Sequence, residues 1–232
     1  MFINHLKIAF RHLYKQKLYS FINIIGFAIG ISACILILLY VRHETSYDRY
    51  HPNADRIYRI YLSTAMNGQD ETNARVSAPV APTVKADFPE VEAAGRLRNF
   101  GYPVIRYEDK VFSEERWYAA DAEIIDVFSI LFLAGDPEYA LTQPNTVVLT
   151  QSMVAKYFGD ENPIGKTLSA DNQRDYRVTG VIADVPSNSH IHYDFLASME
   201  SYKNRINPQN WFDDQFFAYI LLKEGSDPAA LE

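Results

Sequence analysis

The stretch YSFINIIGFAIGISACILILLYV, residues 19–41, runs for 23 positions without a charged side chain. A helix needs about 20 such residues to cross the roughly 30 Å hydrocarbon layer of a bilayer, so the stretch reads as a transmembrane helix. Ser20, Asn23 and Ser32 are its polar exceptions. Gly26 and Gly30 stand four apart on one face, the spacing of small residues that lets a second helix approach closely, and they are the helix-packing candidates. Glycine is also common in membrane helices without any packing role. Two other fates of an apolar N-terminal segment fit less well. A cleaved signal peptide has a shorter apolar region with a small-residue cleavage site soon after it, and no such site follows here. Ile31-Ser32-Ala33-Cys34 looks like a lipidation box, yet Cys34 is followed by seven further apolar residues where a lipoprotein turns polar.

The flanks orient the span. Lys7, Arg11, Lys15 and Lys17 precede it, and a mixed set, Arg42, Glu44, Asp48 and Arg49, follows it. The positive-inside bias places the N-terminus in the cytoplasm and residues 42–232 outside. Within residues 1–18, Phe2, Leu6, Ala9, Phe10 and Leu13 recur at helical spacing, while Lys7, Arg11 and Lys15 fall four apart on another face. This is the pattern of an amphipathic helix on the membrane surface. Its basic residues suit either anionic lipid or a cytoplasmic partner.

The chain of 232 residues is 48% hydrophobic and 14% aromatic, enough apolar matter for one sizeable core or two small ones. Its charge is divided. Residues 1–42 carry five basic side chains and no acid, which leaves 17 basic against 29 acidic residues beyond them. An acidic outer domain argues against nucleic acid as a partner. Cys34, the single cysteine, lies in the span, so the outer domain has no disulfide framework.

Beyond the membrane, residues 56–62 alternate as a half-buried strand, and a turn containing Gly68 follows. Residues 78–88 read as a short helix stopped by Pro89. Residues 96–98, 103–107, 110–112 and 117–119 look like successive short strands. Asp121 is placed to cap a helix running to Phe128. Residues 146–149 form a β-branched strand, Thr150 an N-cap, and residues 152–158 a helix closed by Gly159. Strands at 175–182, 192–197 and 216–222 complete a mixed α+β domain. Ser226-Asp227-Pro228 begins like a helix, so the sequence is expected to be a C-terminally incomplete piece of a longer protein.

Several chemistries are tempting. Gly165-Lys166-Thr167 ends like a phosphate loop, but the first glycine of that motif falls on Asp160, and no helix pattern follows Thr167. His190 and His192, with Asp194, would share one face of a strand and suggest metal; hydrogen bonding of the turn after Pro186 is the plainer reading. Trp211, Phe212, Phe216 and Phe217, around Asp213-Asp214, would make a partner-binding patch if exposed and a core face if buried. No catalytic, cofactor-binding or metal residue is assigned.

The run from Leu149 through Ala155-Lys156-Tyr157-Phe158-Gly159-Asp160-Glu161-Asn162-Pro163-Ile164-Gly165-Lys166-Thr167-Leu168, followed by Tyr176-Arg177-Val178-Thr179-Gly180-Val181-Ile182, resembles the periplasmic core domain of MacB-like, FtsX-like ABC transporter permeases. Asn4-His5-Leu6-Lys7, the span and Pro186-Ser187-Asn188-Ser189-His190 fit the same family. The resemblance implies a permease of the bacterial inner membrane that works with a separate cytoplasmic ABC ATPase subunit. It also implies a homodimer or pseudo-dimer, a periplasmic partner, and an outer domain in two lobes divided near residue 100. No catalytic residue carries over. The other reading is a single-pass receptor or sensor with an extracytoplasmic ligand-binding domain.

Overall fold

A computed structural model describes residues 5, 11, 13–66 and 69–231. It divides into two compact units, Met1–Tyr47 and Asp48–Glu232. The first is dominated by helix α1 (Lys17–Glu44), which has no buried residue and is long and apolar enough to cross a membrane. Its last turn carries Arg42 and His43, which suit the negative end of the helix dipole. The helix closes on hydroxyls: Thr45 Oγ1 donates to Val41 O at 2.9 Å and Ser46 Oγ to His43 O at 2.7 Å. Arg11 and Lys15 are exposed; Lys7 lies outside the described residues.

The second unit is built on a twelve-stranded sheet. Its strands are β1 (Ile57–Ile60), β4 (Val76–Ser77), β5 (Val91–Asn99), β6 (Val104–Tyr107), β7 (Lys110–Ser113), β8 (Trp117–Ala120), β9 (Phe132–Gly135), β10 (Thr146–Thr150), β11 (Thr167–Ala170), β12 (Arg174–Ile182), β13 (Phe195–Ser198) and β14 (Asp214–Leu222). The order is β1-β14-β5-β8-β13-β10-β12-β11-β6-β7, with β4 on β14 and β9 on β12. A separate hairpin joins β2 (Leu62–Met66) to β3 (Gln69–Asn73). The expected strand at 56–62 is thus split, a 3-10 turn at Ala54–Arg56 leading into β1 and the chain leaving the sheet at Tyr61.

Both faces of the central strands are covered. Trp117, Val147, Leu149, Phe195 and Ala197 pack on one face beneath Tyr157, Phe158 and Tyr202. Ala120, Val148 and Leu196 pack on the other with Ile124, Phe128 and Tyr219. Alternate residues of a strand point to opposite faces, so a strand covered twice is apolar throughout, and every residue of β10 is buried. β10 and β12 are parallel neighbours, and the crossover between them contains α4 (Gln151–Phe158). Helices α2 (Val80–Asp87) and α3 (Ile124–Val127) are also short. The sheet joins distant parts of the chain, since β5, which ends at Asn99, pairs along its length with β14.

Two expected caps are corrected. Asp121 does not cap a helix to Phe128. Its carboxylate is taken by Arg96 in a two-pronged pair, Nε to Oδ2 at 2.7 Å and Nη2 to Oδ1 at 2.9 Å, and only the single turn of α3 forms. A guanidinium fork outcompetes a neutral amide for a carboxylate. Thr150 stands at the N-cap of α4 without making a side-chain cap bond. Asp184 does the capping, accepting the Ser152 N–H at 2.9 Å and the Ser152 hydroxyl at 2.7 Å.

Candidate functional site

Helix α1 ends at Glu44, and from Asp48 the chain is hydrogen-bonded into the outer domain. Asp48 adopts a left-handed backbone, φ +58°, which short polar side chains tolerate better than most. That conformation lets its N–H donate to Asn188 O at 2.9 Å while its carboxylate turns back to accept the His190 N–H at 2.9 Å. The His190 ring lies with Nδ1 2.8 Å from the same carboxylate and Nε2 2.7 Å from the Tyr219 hydroxyl. Arg59 lines the same cavity as His190 and Tyr219. The network is satisfied if Tyr219 donates to His190 Nε2 and His190 Nδ1–H donates to Asp48.

The next residues continue the attachment. Tyr50 donates to Ser189 Oγ at 3.0 Å, His51 Nδ1 donates to Phe128 O at 2.8 Å, and Asn53 donates to Ser129 Oγ at 3.1 Å. Residues 48–53 are therefore fixed to the Pro186–His190 turn and to the end of α3, and His190 links the first of these to Tyr219 on β14. A cavity of about 310 Å³ lies among them, lined by Asp48, His51, Ile57, Phe128, His190 and Tyr219.

Electrostatics follow from burial. Burial raises the Asp48 carboxyl, but hydrogen bonds from the His190 amide and ring outweigh it and leave the group below the usual carboxylate range. Burial lowers His51, which is 8% exposed and whose Nε2 has no partner among the described residues. Burial pushes the Tyr219 hydroxyl up to about 12, which keeps it a neutral donor.

The stretch that carries the family resemblance forms a clamp. Gly159 ends α4 at φ +61°, ψ −119°, a backbone that a side chain disfavours. Gly165 N–H then donates to Val178 O at 2.8 Å and Val178 N–H to Lys166 O at 2.8 Å, which docks the turn on β12. Lys166 pairs with Glu161 and donates to the Tyr107 hydroxyl at 3.0 Å, so its ammonium is tied up in the fold. Thr167 opens strand β11, not the helix a phosphate loop needs. One helical turn back, Lys156 reaches the buried Glu114 at 2.7 Å, the Tyr157 hydroxyl donates to the same carboxylate, and Lys110 donates to Tyr157 O at 2.7 Å. The clamp thus fastens the β6–β7 hairpin to α4 and β12.

The other sequence candidates are dispersed. Residues 190–194 precede β13 and are not a strand, so His190 and His192 do not share a strand face, and His190 is committed on both nitrogens. Among the described residues no group of three His, Cys, Asp or Glu side chains is placed to hold a metal. Trp211, Phe212, Phe216 and Phe217 do not form one surface. Phe216 is in the core and Phe217 packs on the opposite face of β14, whereas Trp211 is 52% and Phe212 96% exposed. Gly26 and Gly30 lie in a shallow groove of α1 with nothing within 4 Å of where a side chain would begin. Asp48 and His51 were missed, because in the sequence they are ordinary polar residues flanking a span.

The model of the MacB-like periplasmic core domain matches residues 20–232. The chain belongs to this family. A domain of a protein assigned as a permease from Porphyromonas gingivalis is 28% identical, with a TM-score of 0.68 over 78% of each chain. The periplasmic region of MacB from Actinobacillus actinomycetemcomitans shares the fold at 16% identity, TM-score 0.52, over 67% of this chain and 69% of that one. So does the extracellular domain of the noncanonic ABC-type transporter YknZ from Gram-positive bacteria, at 12% identity and TM-score 0.54, over 75% and 88%. No curated protein matches. The MacB-like domain with its apolar helix makes this a membrane-anchored chain of the ABC permease family with an extracytoplasmic domain.

Proposed function

We propose that the chain is the permease component of an ABC-type export or mechanotransmission system in the bacterial inner membrane, with its N-terminus cytoplasmic. ATP is hydrolysed by a separate cytoplasmic subunit, and the membrane helix hands the resulting movement to the outer domain. Two permease copies, or two related ones, work as a pair, with a periplasmic partner. One observation carries this reading: residues 48–53, shortly after the helix, are hydrogen-bonded to two separate parts of the domain, the turn at 188–190 and residues 128–129 at the end of α3. A tether that merely anchored a binding module would not need to be fixed to its domain at two places. Arg11 and Lys15, both exposed, supply basic groups for the cytoplasmic side.

The test is to affinity-purify the tagged protein from its own membranes and assay the preparation for ATP hydrolysis. The reading expects a co-purifying ATPase with a complete phosphate loop. A second prediction concerns the joint: Asp48→Ala should lower transport-coupled work while leaving the ATPase bound. A preparation with no ATPase, whose outer domain instead signals through a cytoplasmic output domain, would contradict it.

A further inference from the structure

A cavity of about 230 Å³ opens between the loop after β5, the β11–β12 turn and the 3-10 helix Met199–Arg205. Its back wall is aromatic. Trp117 Nε1 donates to the Tyr202 hydroxyl at 3.1 Å, and the Tyr176 and Tyr202 hydroxyls are 2.9 Å apart. Phe100 stacks on the Tyr202 ring at 4.0 Å between centroids, 9° from parallel. Arg174 lies over the other partner of that stack, 5.1 Å from the Tyr202 centroid, and donates to Ser201 O at 2.5 Å.

The protons of this wall do not balance. One hydroxyl–hydroxyl bond uses one of the two tyrosine protons, and the indole and guanidinium add only donors. Whichever tyrosine donates to the other, one hydroxyl proton has no acceptor among the described residues. Both rings are almost wholly buried, Tyr176 at 2% and Tyr202 at 6% exposure, so an unspent donor here is costly. Arg205 at the rim has no carboxylate partner among the described residues, and Arg174 has N–H groups left over. Asp171 is the one carboxylate in the lining, and its Oδ1 accepts the Val104 N–H at 2.8 Å. In an acidic domain this cavity therefore has two guanidinium groups to one carboxylate and a surplus of donors. Tyr102, 68% exposed, adds a free aromatic face at the mouth.

We propose that this cavity binds a small organic acid with a flat apolar body. One carboxylate oxygen takes the spare tyrosine proton, the guanidinium groups of Arg174 and Arg205 pair with the carboxylate, and the body lies along Phe100 and Tyr102. Charge-assisted bonds to a planar fork favour a carboxylate over a neutral acceptor, and exposed ring faces favour a planar body. The volume is below the usual range for drug-sized ligands, so the occupant is one ring and its acid group, free or as the end of a larger molecule. The inference stands apart from the permease reading.

The test uses the full chain in lipid nanodiscs, titrated with 3-phenylpropionate, with its neutral amide and with inorganic phosphate, followed by ligand-observed NMR. The acid is expected to bind about tenfold tighter than the amide, the worth of one charge-assisted hydrogen bond. Arg205→Gln, at an exposed residue whose loss leaves the fold intact, should weaken the acid about tenfold and leave the amide unchanged. Tyr202→Phe should also weaken the acid. Equal binding of acid and amide, no binding of either at about 10 mM, or an Arg205→Gln variant with unchanged affinity would overturn the proposal. Phosphate binding as well as the acid would overturn the assigned ligand class.

Discussion

Helix α1 and the outer domain solve the burial problem in opposite ways. Along α1 every apolar side chain from Leu18 to Val41 is exposed, and the backbone bonds of the helix are all local. In the outer domain Trp117, Leu149 and Phe195 are sealed between layers contributed by residues far away in the chain, and hydrogen bonds such as His190 to Asp48 span 142 positions. The helix needs an external apolar solvent, and its stability is a matter of composition. The domain supplies its own apolar solvent, so its stability depends on which distant residues meet. Substitutions should therefore act on one region without disturbing the other.

The largest effect is expected from Asp121→Ala, which leaves the Arg96 guanidinium, 14% exposed, without its partner. Removing one member of a fully buried pair costs about 3–5 kcal/mol, and this part-buried pair is expected at the lower end of that range. Urea unfolding followed by tryptophan fluorescence should show that loss while membrane attachment persists. Ile29→Arg does the converse, adding about 3 kcal/mol to the insertion of the helix. Membrane fractionation should show reduced insertion, and near-ultraviolet circular dichroism of the outer domain should be unaltered. Asp184→Ala removes the cap of α4 and should cost about 1 kcal/mol. A loss no larger than scatter would mean that Thr150 takes over.

The smallest effect is that of pH. Burial holds the folded His51 below its ordinary value of 6.5, so below that pH the unfolded chain binds the extra proton more readily. The stability that neutral His51 contributes is present above pH 6.5 and falls away as pH drops through the folded value. Asp48, also lowered, adds a further loss below its ordinary 3.8. His51→Phe should flatten the first part of the profile, and a profile identical to the parent would remove His51 as its source.

The same contrast explains what could be read in advance. The span was legible from 23 consecutive residues because its determinant is local. β10, covered on both faces, was legible as a β-branched run, and β13 only in part, since the strand read at 192–197 begins at Phe195. β11, with only Leu168 and Ala170 buried, was not, because its place depends on β6 and β12. The β2–β3 hairpin has exposed residues at Leu62, Ser63 and Thr64 and shows no alternation to read. At the joint, Pro186-Ser187-Asn188 announced a turn, but nothing local paired His190 with Asp48 or turned His51 toward Phe128. The Lys166 ammonium could be cleared of phosphate binding from spacing alone, whereas its partner Tyr107 became visible only in the fold.

The central claim is that movement enters the outer domain through residues 48–53. It is tested most directly by amide hydrogen exchange on the complex purified from native membranes, free of nucleotide and then trapped with ATP and vanadate. The account predicts that peptides covering residues 48–60 and 186–191 change their exchange between the two states while β10 stays protected. Identical exchange in those peptides, in a complex that hydrolyses ATP, would contradict it.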